Sequence, residues 1–472
     1  MDRARVLSIA LLCSAAWTVL PVLAAAEEPP PQGKPAVPQP EQSSTGLPVV
    51  RGLDFQFHLD ASWGSFGFAN SLYKNAKPDE PVAGSLDDNW FEGSVKPGLS
   101  ATYTGRSSWQ VYGNLSGAGE RTYAAPPGLV GGAASSFQLE DLFVGWRSGK
   151  LFEGLGENAL DFTAGRAPYQ IGHGFLVFDG AAEGGSRGGY WTNVRRSFAF
   201  ASVGRFKTGA HTVEAFYLVK DELPEATTNT HLLGFNYELA LPLGNSTTLG
   251  ATYLLGSADP AKAPGRDGMN VYNLRAFAAP VTALPGLAFE AEYAREHNGK
   301  VLDATAWNLQ ASYEFSSIAW SPRLSYRYAF FQGDDTATSR SESFDPLFLG
   351  FYQWGTWFQG EIAGEYFVSN SNLISHQVRL QVAPLPSLGT GLIFYKFLFA
   401  NPASVIPSGG TASSVTSSDI ALEVDWYTDW KINDHFSASF LAAFASPGDG
   451  VAQAYGRTSD FWYAMIFAAY TY

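Results

Sequence analysis

The 472-residue chain is acidic, with net charge −14 and pI near 5.0, and combines 16% charged residues with 15% aromatics. It has no Lys/Arg run, which argues against a nucleic-acid binder, whose footprint is a basic patch. Only one apolar run approaches the ~20 residues of a membrane helix, and it lies at the N-terminus, so a helical membrane bundle is excluded.

Residues 1–26 read as a secretory signal peptide. Arg3 and Arg5 form the charged start, Val6 to Leu23 the apolar stretch broken by Pro21, and Ala24-Ala25-Ala26 the cleavage site before Glu27. The only cysteine, Cys13, falls inside this leader. The mature chain is therefore expected to lack disulfides and cysteine metal sites. Residues 27–50, rich in Pro, Gln and Ser, cannot bury a core and are expected to form a periplasmic tether, leaving 51–472 as one folded domain.

From Leu53 the rhythm is period two. In Leu53 to Trp63 every odd position is apolar or small and every even one polar. Successive strand side chains face opposite ways, so one face is greasy and the other wet. The alternation returns at Leu99–Tyr103, Trp109–Leu115, Leu249–Tyr253, Leu287–Tyr293, Trp307–Phe315, Leu324–Phe330, Val378–Val382 and Ile420–Trp426. Runs of about 10 residues match tilted strands crossing a bilayer. Such strands must close into a barrel, because no backbone edge can face lipid. Short turns are expected at Thr104–Ser107, Lys207–Ala210, Pro242–Ser246, Pro384–Leu388 and Asp429–Asp434. Long loops are expected at Gly64–Trp90, Ser116–Ser136, Ala167–Thr192, Gln332–Gly355, Asn401–Ser418 and Ser446–Asp460.

The fold class is thus all-β, a transmembrane antiparallel barrel. Nineteen candidate strands violate the even parity of single-chain barrels, and the doubtful stretch is Ser341–Tyr366. About 18 strands is the expectation, with 16 the alternative. The last strand, Phe461 to Tyr472, ends on an aromatic and resembles the signal read by the outer-membrane barrel assembly machinery.

The segments Phe344-Asp345-Pro346-Leu347-Phe348, Gly360 to Tyr366, Ser369 to Leu373, Ala421 to Tyr427 and Phe444 to Gly448, together with Leu160 to Arg166, resemble the alginate export family of outer-membrane barrels. The resemblance implies an 18-stranded barrel and a conduit for polysaccharide or small solutes. A polyuronate exporter is expected to line its pore with cations. Here the inferred wet face mixes Arg166, Arg323, Arg327 and Arg379 with Glu290, Glu292, Glu361, Glu365, Glu423 and Asp425.

Ala167–Thr192 holds seven glycines and is the candidate for a loop folding into the lumen, with His173, Asp179 and Arg187 placed to set charge preference there. Arg195, Arg196 and Arg205 around the next strand could join an arginine ladder or grip lipopolysaccharide phosphate. Gly184-Gly185-Ser186-Arg187-Gly188 fits G-x-S-x-G without the strand–turn–helix setting a nucleophile needs. The seven histidines show no ligand spacing. No catalytic residue, metal or cofactor is expected. The expected partners are outer-membrane lipid and lipopolysaccharide, the assembly machinery, and polar solutes or saccharides. A lipid hydrolase or a loop-based adhesin is the alternative function.

Overall fold

The computed structural model describes residues 52–71, 88–124, 126, 134–192, 194–244, 246–279, 281–354, 356–364, 370–405, 415–456 and 458–472. The expected leader and tether lie outside these residues, as does Glu365. The strands are β1 (Leu53–Ala69), β2 (Asp88–Thr104), β3 (Gln110–Tyr123), β4 (Ala134–Arg147), β5 (Leu160–Arg166), β6 (Phe200–Thr208), β7 (His211–Val219), β8 (His231–Leu241) and β9 (Ser246–Ser257). They continue as β10 (Asn270–Ala279), β11 (Leu287–Asn298), β12 (Leu302–Glu314), β13 (Arg323–Phe331), β14 (Leu373–Leu385), β15 (Leu388–Phe399), β16 (Asp419–Lys431), β17 (Phe436–Pro447) and β18 (Phe461–Thr471).

All 18 form one antiparallel sheet in chain order. It closes where β1 meets β18, with Ala61 opposite Tyr470 and Trp63 opposite Ala468. The count settles on 18 rather than 19. The doubtful stretch contributes no strand among its described residues; it holds two single-turn helices, α1 (Phe351–Trp354) and α2 (Thr356–Gln359). No described helix is long and apolar enough to cross a membrane.

The period-two rhythm maps directly onto the wall. On β8, Leu233, Phe235 and Tyr237 face outward and exposed, while Gly234 and Asn236 face inward and buried. Such exposure of large apolar side chains recurs around the sheet and is stable only against hydrocarbon. Two-residue turns such as Gly209–Ala210 and Pro386–Ser387 gather at one end. The long connections, 167–199 and 332–372 above all, gather at the other, where the three-residue Gly299–Val301 link is the short exception.

Several strands run further than the expected loop boundaries. β1 continues to Ala69, β3 to Tyr123, and β4 begins at Ala134. On β1 the cause is an inversion of the pattern. Up to Trp63 the apolar residues of β1 face out, but Phe66 and Phe68 face in and are buried, with small Ser65 and Gly67 outside. Above the hydrocarbon the inner face of the wall packs against protein. Phe66 stacks on Trp90 of β2 at 4.6 Å and approaches Trp191 of an inward loop at 5.9 Å.

Candidate functional site

Two long connections fold into the loop-side lumen. The first, 167–199, buries Tyr169, Ile171, Phe175, Leu176, Val177 and Trp191. The second, 332–372, buries Phe344, Phe348, Trp354, Ile362 and Ala363. Phe175 meets Trp354 edge-on at 4.8 Å and stacks on Phe331 of β13 at 5.6 Å. The segments also hydrogen-bond to each other, Phe178 N–H donating to Phe348 O (2.8 Å) and Phe348 N–H to Leu176 O (2.9 Å). They cross at two glycines, where Gly350 N–H donates to Gly174 O at 2.6 Å. Gly174 has φ +79, and a Cβ there would lie 3.1 Å from the Gly350 Cα. The crossing therefore depends on glycine.

Inward-facing strand carboxylates hold these segments by their backbones. Glu92 of β2 accepts the amides of Trp191 (2.6 Å) and Thr192 (3.0 Å) through one oxygen. Glu140 of β4 accepts those of Arg196 (2.6 Å) and Ser197 (2.8 Å). Glu296 of β11 accepts that of Asp345 (2.8 Å). Glu423 of β16 accepts those of Ile362 (2.9 Å) and Ala363 (2.8 Å), and Asp425 that of Glu361 (3.3 Å). A loop docked inside a barrel cannot reach water with every amide, and these carboxyl oxygens supply the missing acceptors.

Around the root of the first segment lies a dense charge network. Asp221, just past β7, accepts from Arg166, Arg187 and Arg195. Burial pushes its carboxyl up, but Arg166 and Arg195 outweigh that, and it sits below its ordinary range. Glu183 stands against Glu120 of β3 within hydrogen-bond reach, and burial first, then Glu120, holds its carboxyl well above the ordinary value.

The anticipated residues divide into three groups. Arg166, Asp179, Arg187 and Arg196 belong to the root of the first segment. There burial raises the Asp179 carboxyl against the opposing pull of Lys220 and Arg196, and Arg196 lies 4.7 Å from the Phe178 ring. Arg327, Arg379, Glu361, Glu423 and Asp425 lie around the second segment. Arg327 donates to the carbonyls of Gln353 (3.0 Å) and Phe358 (3.3 Å), and Arg379 lies over Phe358 at 4.5 Å. Only His173, Arg205 and Arg323, with Arg379 in part, reach the open turn-side lumen. Arg195 and Arg205 face inward to Glu140 and Glu214, and Arg196 packs within the lumen, so none of the three is placed to grip lipid.

The turn-side wall is a continuous polar ladder across β6 to β10. Arg205 donates to Glu214 (2.6 Å), which also accepts from Tyr169 (3.0 Å) and Asn236 (2.8 Å). Arg275 then joins Asn236 (2.5 Å), Thr252 (2.8 Å) and Glu238 (2.8 Å). His173, at the tip of the first segment, stacks on Phe277 at 3.9 Å and pairs with Glu290 at 3.2 Å, its side chain 42% exposed. Arg323 pairs with Glu314 at the turn-side mouth.

Sequence reasoning missed Glu92, Glu140, Glu183 and Asp221. Parity marks Glu92 and Glu140 as inward, but only the docked amides reveal what they hold. Ser186 of the G-x-S-x-G stretch donates to Glu225 at 2.9 Å within a turn. Among the described residues no group of three or more His, Cys, Asp or Glu is placed to hold a metal ion.

No curated protein sequence matches the chain. In fold it is similar to proteins of Pseudomonas aeruginosa, the outer membrane protein OprD among them. OccK5 (OpdH) superposes with TM-score 0.53 at 9% identity, covering 88% of this chain and 97% of that one. The outer membrane protein OprD superposes with TM-score 0.51 at 12% identity, covering 88% and 93%. OpdL superposes with TM-score 0.50 at 13% identity, covering 89% and 99%. The alginate export family profile matches residues 134–465. A closed 18-strand barrel with this profile is a protein of the Gram-negative outer membrane, and the chain belongs to the alginate export family.

Proposed function

We propose that the protein is a passive channel for polar solutes, including oligo- or polysaccharides of the uronate class. The carrying observation is the turn-side ladder from Arg205 to Glu238, continued by the His173–Glu290 pair. Its middle is buried under the first segment, but its exposed members Arg205, Glu238, His173 and Glu290 offer donors, acceptors and both charge signs to a passing hydroxylated solute, which is how a pore selects without chemistry. Family membership supports a transport role, and the packed inward segments favour a bore set at the loop side.

Reversal potentials across planar bilayers in a salt gradient test this, with oligouronate and neutral oligosaccharide as blockers. Weak charge selectivity and block by saccharide are expected. Folded protein with no conductance would overturn the reading. Near-ideal anion selectivity would overturn the mixed-wall argument and leave a dedicated polyanion exporter. We also propose that the terminal strand, with Trp462 and Ile466 outward and Tyr472 last, is read by the assembly machinery. Lipopolysaccharide is the proposed lipid neighbour.

A further inference from the structure

A groove of about 520 Å³ lies on the outside of the barrel across β1 to β4, lined by Trp63, Phe91, Gly93, Val95, Arg121 and Tyr123. Register explains it. Trp63 stands opposite Gly93, and Gly93 opposite Arg121. The row therefore drops to bare backbone between an indole and a guanidinium. Arg121 is the twelfth residue of β3 counted from the turn end. A tilted strand crosses the hydrocarbon in about 9–11 residues, so this row lies at the headgroup level of the outer leaflet.

Among the described strand residues, three cations face outward on the loop-side half. Arg295 pairs with Asp303 at 3.1 Å, and Lys396 pairs with Asp419. Arg121 differs. It lies 4.6 Å from the Tyr123 ring and has no carboxylate within salt-bridge distance among the described residues. A cation beside an apolar gap, at the depth where lipid phosphates lie, complements a phosphorylated lipid.

We propose that this groove is a binding site for the phosphorylated glycolipid of the outer leaflet, lipid A in class. Its phosphate sits on Arg121 and the first carbons of an acyl chain lie over Gly93 between Trp63 and Val95. The inference rests on the outer-membrane location, not on the transported solute.

The test uses the full chain refolded in detergent without added lipid, titrated with bisphosphorylated lipid A and followed by native mass spectrometry. Dephosphorylated lipid A, phosphatidylglycerol and inorganic phosphate are the comparison arms. Saturable binding of the bisphosphorylated lipid is expected, weakened about tenfold or more by Arg121→Gln, which loses a charge-assisted bond. Arg121→Lys should restore part of it. Gly93→Leu should block it while the barrel still folds, because a Cβ there meets only the Ser62 carbonyl oxygen, at 3.6 Å. Heat-modifiable gel migration checks folding. Equal binding by wild type and both loss variants, equal affinity for phosphatidylglycerol or inorganic phosphate, or no saturable binding would each overturn the proposal. Conductance should be unchanged in all three variants.

Discussion

Glu140 and Arg195 meet at 3.2 Å with neither side chain exposed. The pair joins the wall at β4 to the returning end of the first inward segment. Glu140 also accepts two amides there. Removing one partner of a buried pair costs about 3–5 kcal/mol when the other is left unpaired; Arg195 keeps Asp221, so the cost here falls below that range and comes largely from the two amides left without an acceptor. Glu140→Ala should thus loosen the returning end of the segment around Arg196 and Ser197, and Glu140→Gln, which keeps an acceptor oxygen, should cost less. Limited proteolysis within 167–199 on folded protein measures both. Equal resistance of all three proteins would refute the clamp.

Glu423 has the corresponding role for the second segment. Its two oxygens take the amides of Ile362 and Ala363, and each such hydrogen bond contributes about 0.5–1.5 kcal/mol net. Glu423→Ala should raise single-channel conductance by freeing 361–363 from the wall. Unchanged conductance with intact folding would argue against it.

The first segment should also respond to pH. Glu183 is raised by burial first and then by Glu120, with Asp179 adding to this and Arg195 opposing it. A raised carboxyl stabilises the docked state fully below its ordinary value of 4.5, and that contribution is lost as pH rises through the docked value. Asp221 has the opposite sign. Its depressed carboxyl stabilises above 3.8, and the contribution is lost as pH falls through the lowered value. Docking should be tightest in mild acid and loosen toward alkali. Trp191 fluorescence followed from about pH 5 to about pH 9 reports this, and Glu183→Gln should flatten the alkaline limb. A flat wild-type curve would contradict it.

Selectivity should be set on the turn side. Arg205 is 46% exposed and Glu290 30%. Arg205→Gln should shift the reversal potential toward cation preference and Glu290→Gln toward anion preference, each modestly because the other sign remains. Shifts of the same sign, or none, would place the selecting residues elsewhere.

On the lipid face, Phe235 is 56% exposed within a strand whose outward neighbours are Leu233 and Tyr237. Phe235→Arg should cost about 2–4 kcal/mol near the bilayer midplane, read as a lower urea midpoint of the folded barrel. An unchanged midpoint would mean that this face is not in hydrocarbon.

Much of the wall was legible in the sequence because one period governs it. Trp307 to Glu314 lies within β12, and Leu160 to Arg166 is β5 to the residue. The rhythm failed at Gly64 to Ala69, where the apolar residues change sides and glycines thin the signal. Ser341–Tyr366 was ambiguous because its aromatics are spaced for docking, not for a pleat. Seven glycines in Ala167–Thr192 marked a loop that folds inward. Which charges would face water was not legible. Glu423 and Asp425 have the parity of lumen residues, yet each is 1% exposed beneath a docked segment, and strand parity does not report what packs on top.

The crossing of Gly174 and Gly350, with the hydrogen bonds flanking it, couples the two inward segments mechanically. Neither can swing aside alone without stranding amides and carbonyls inside the cylinder. A wider aperture therefore requires both to withdraw in concert, so current records should show discrete steps between a narrow and a wide bore rather than a graded continuum.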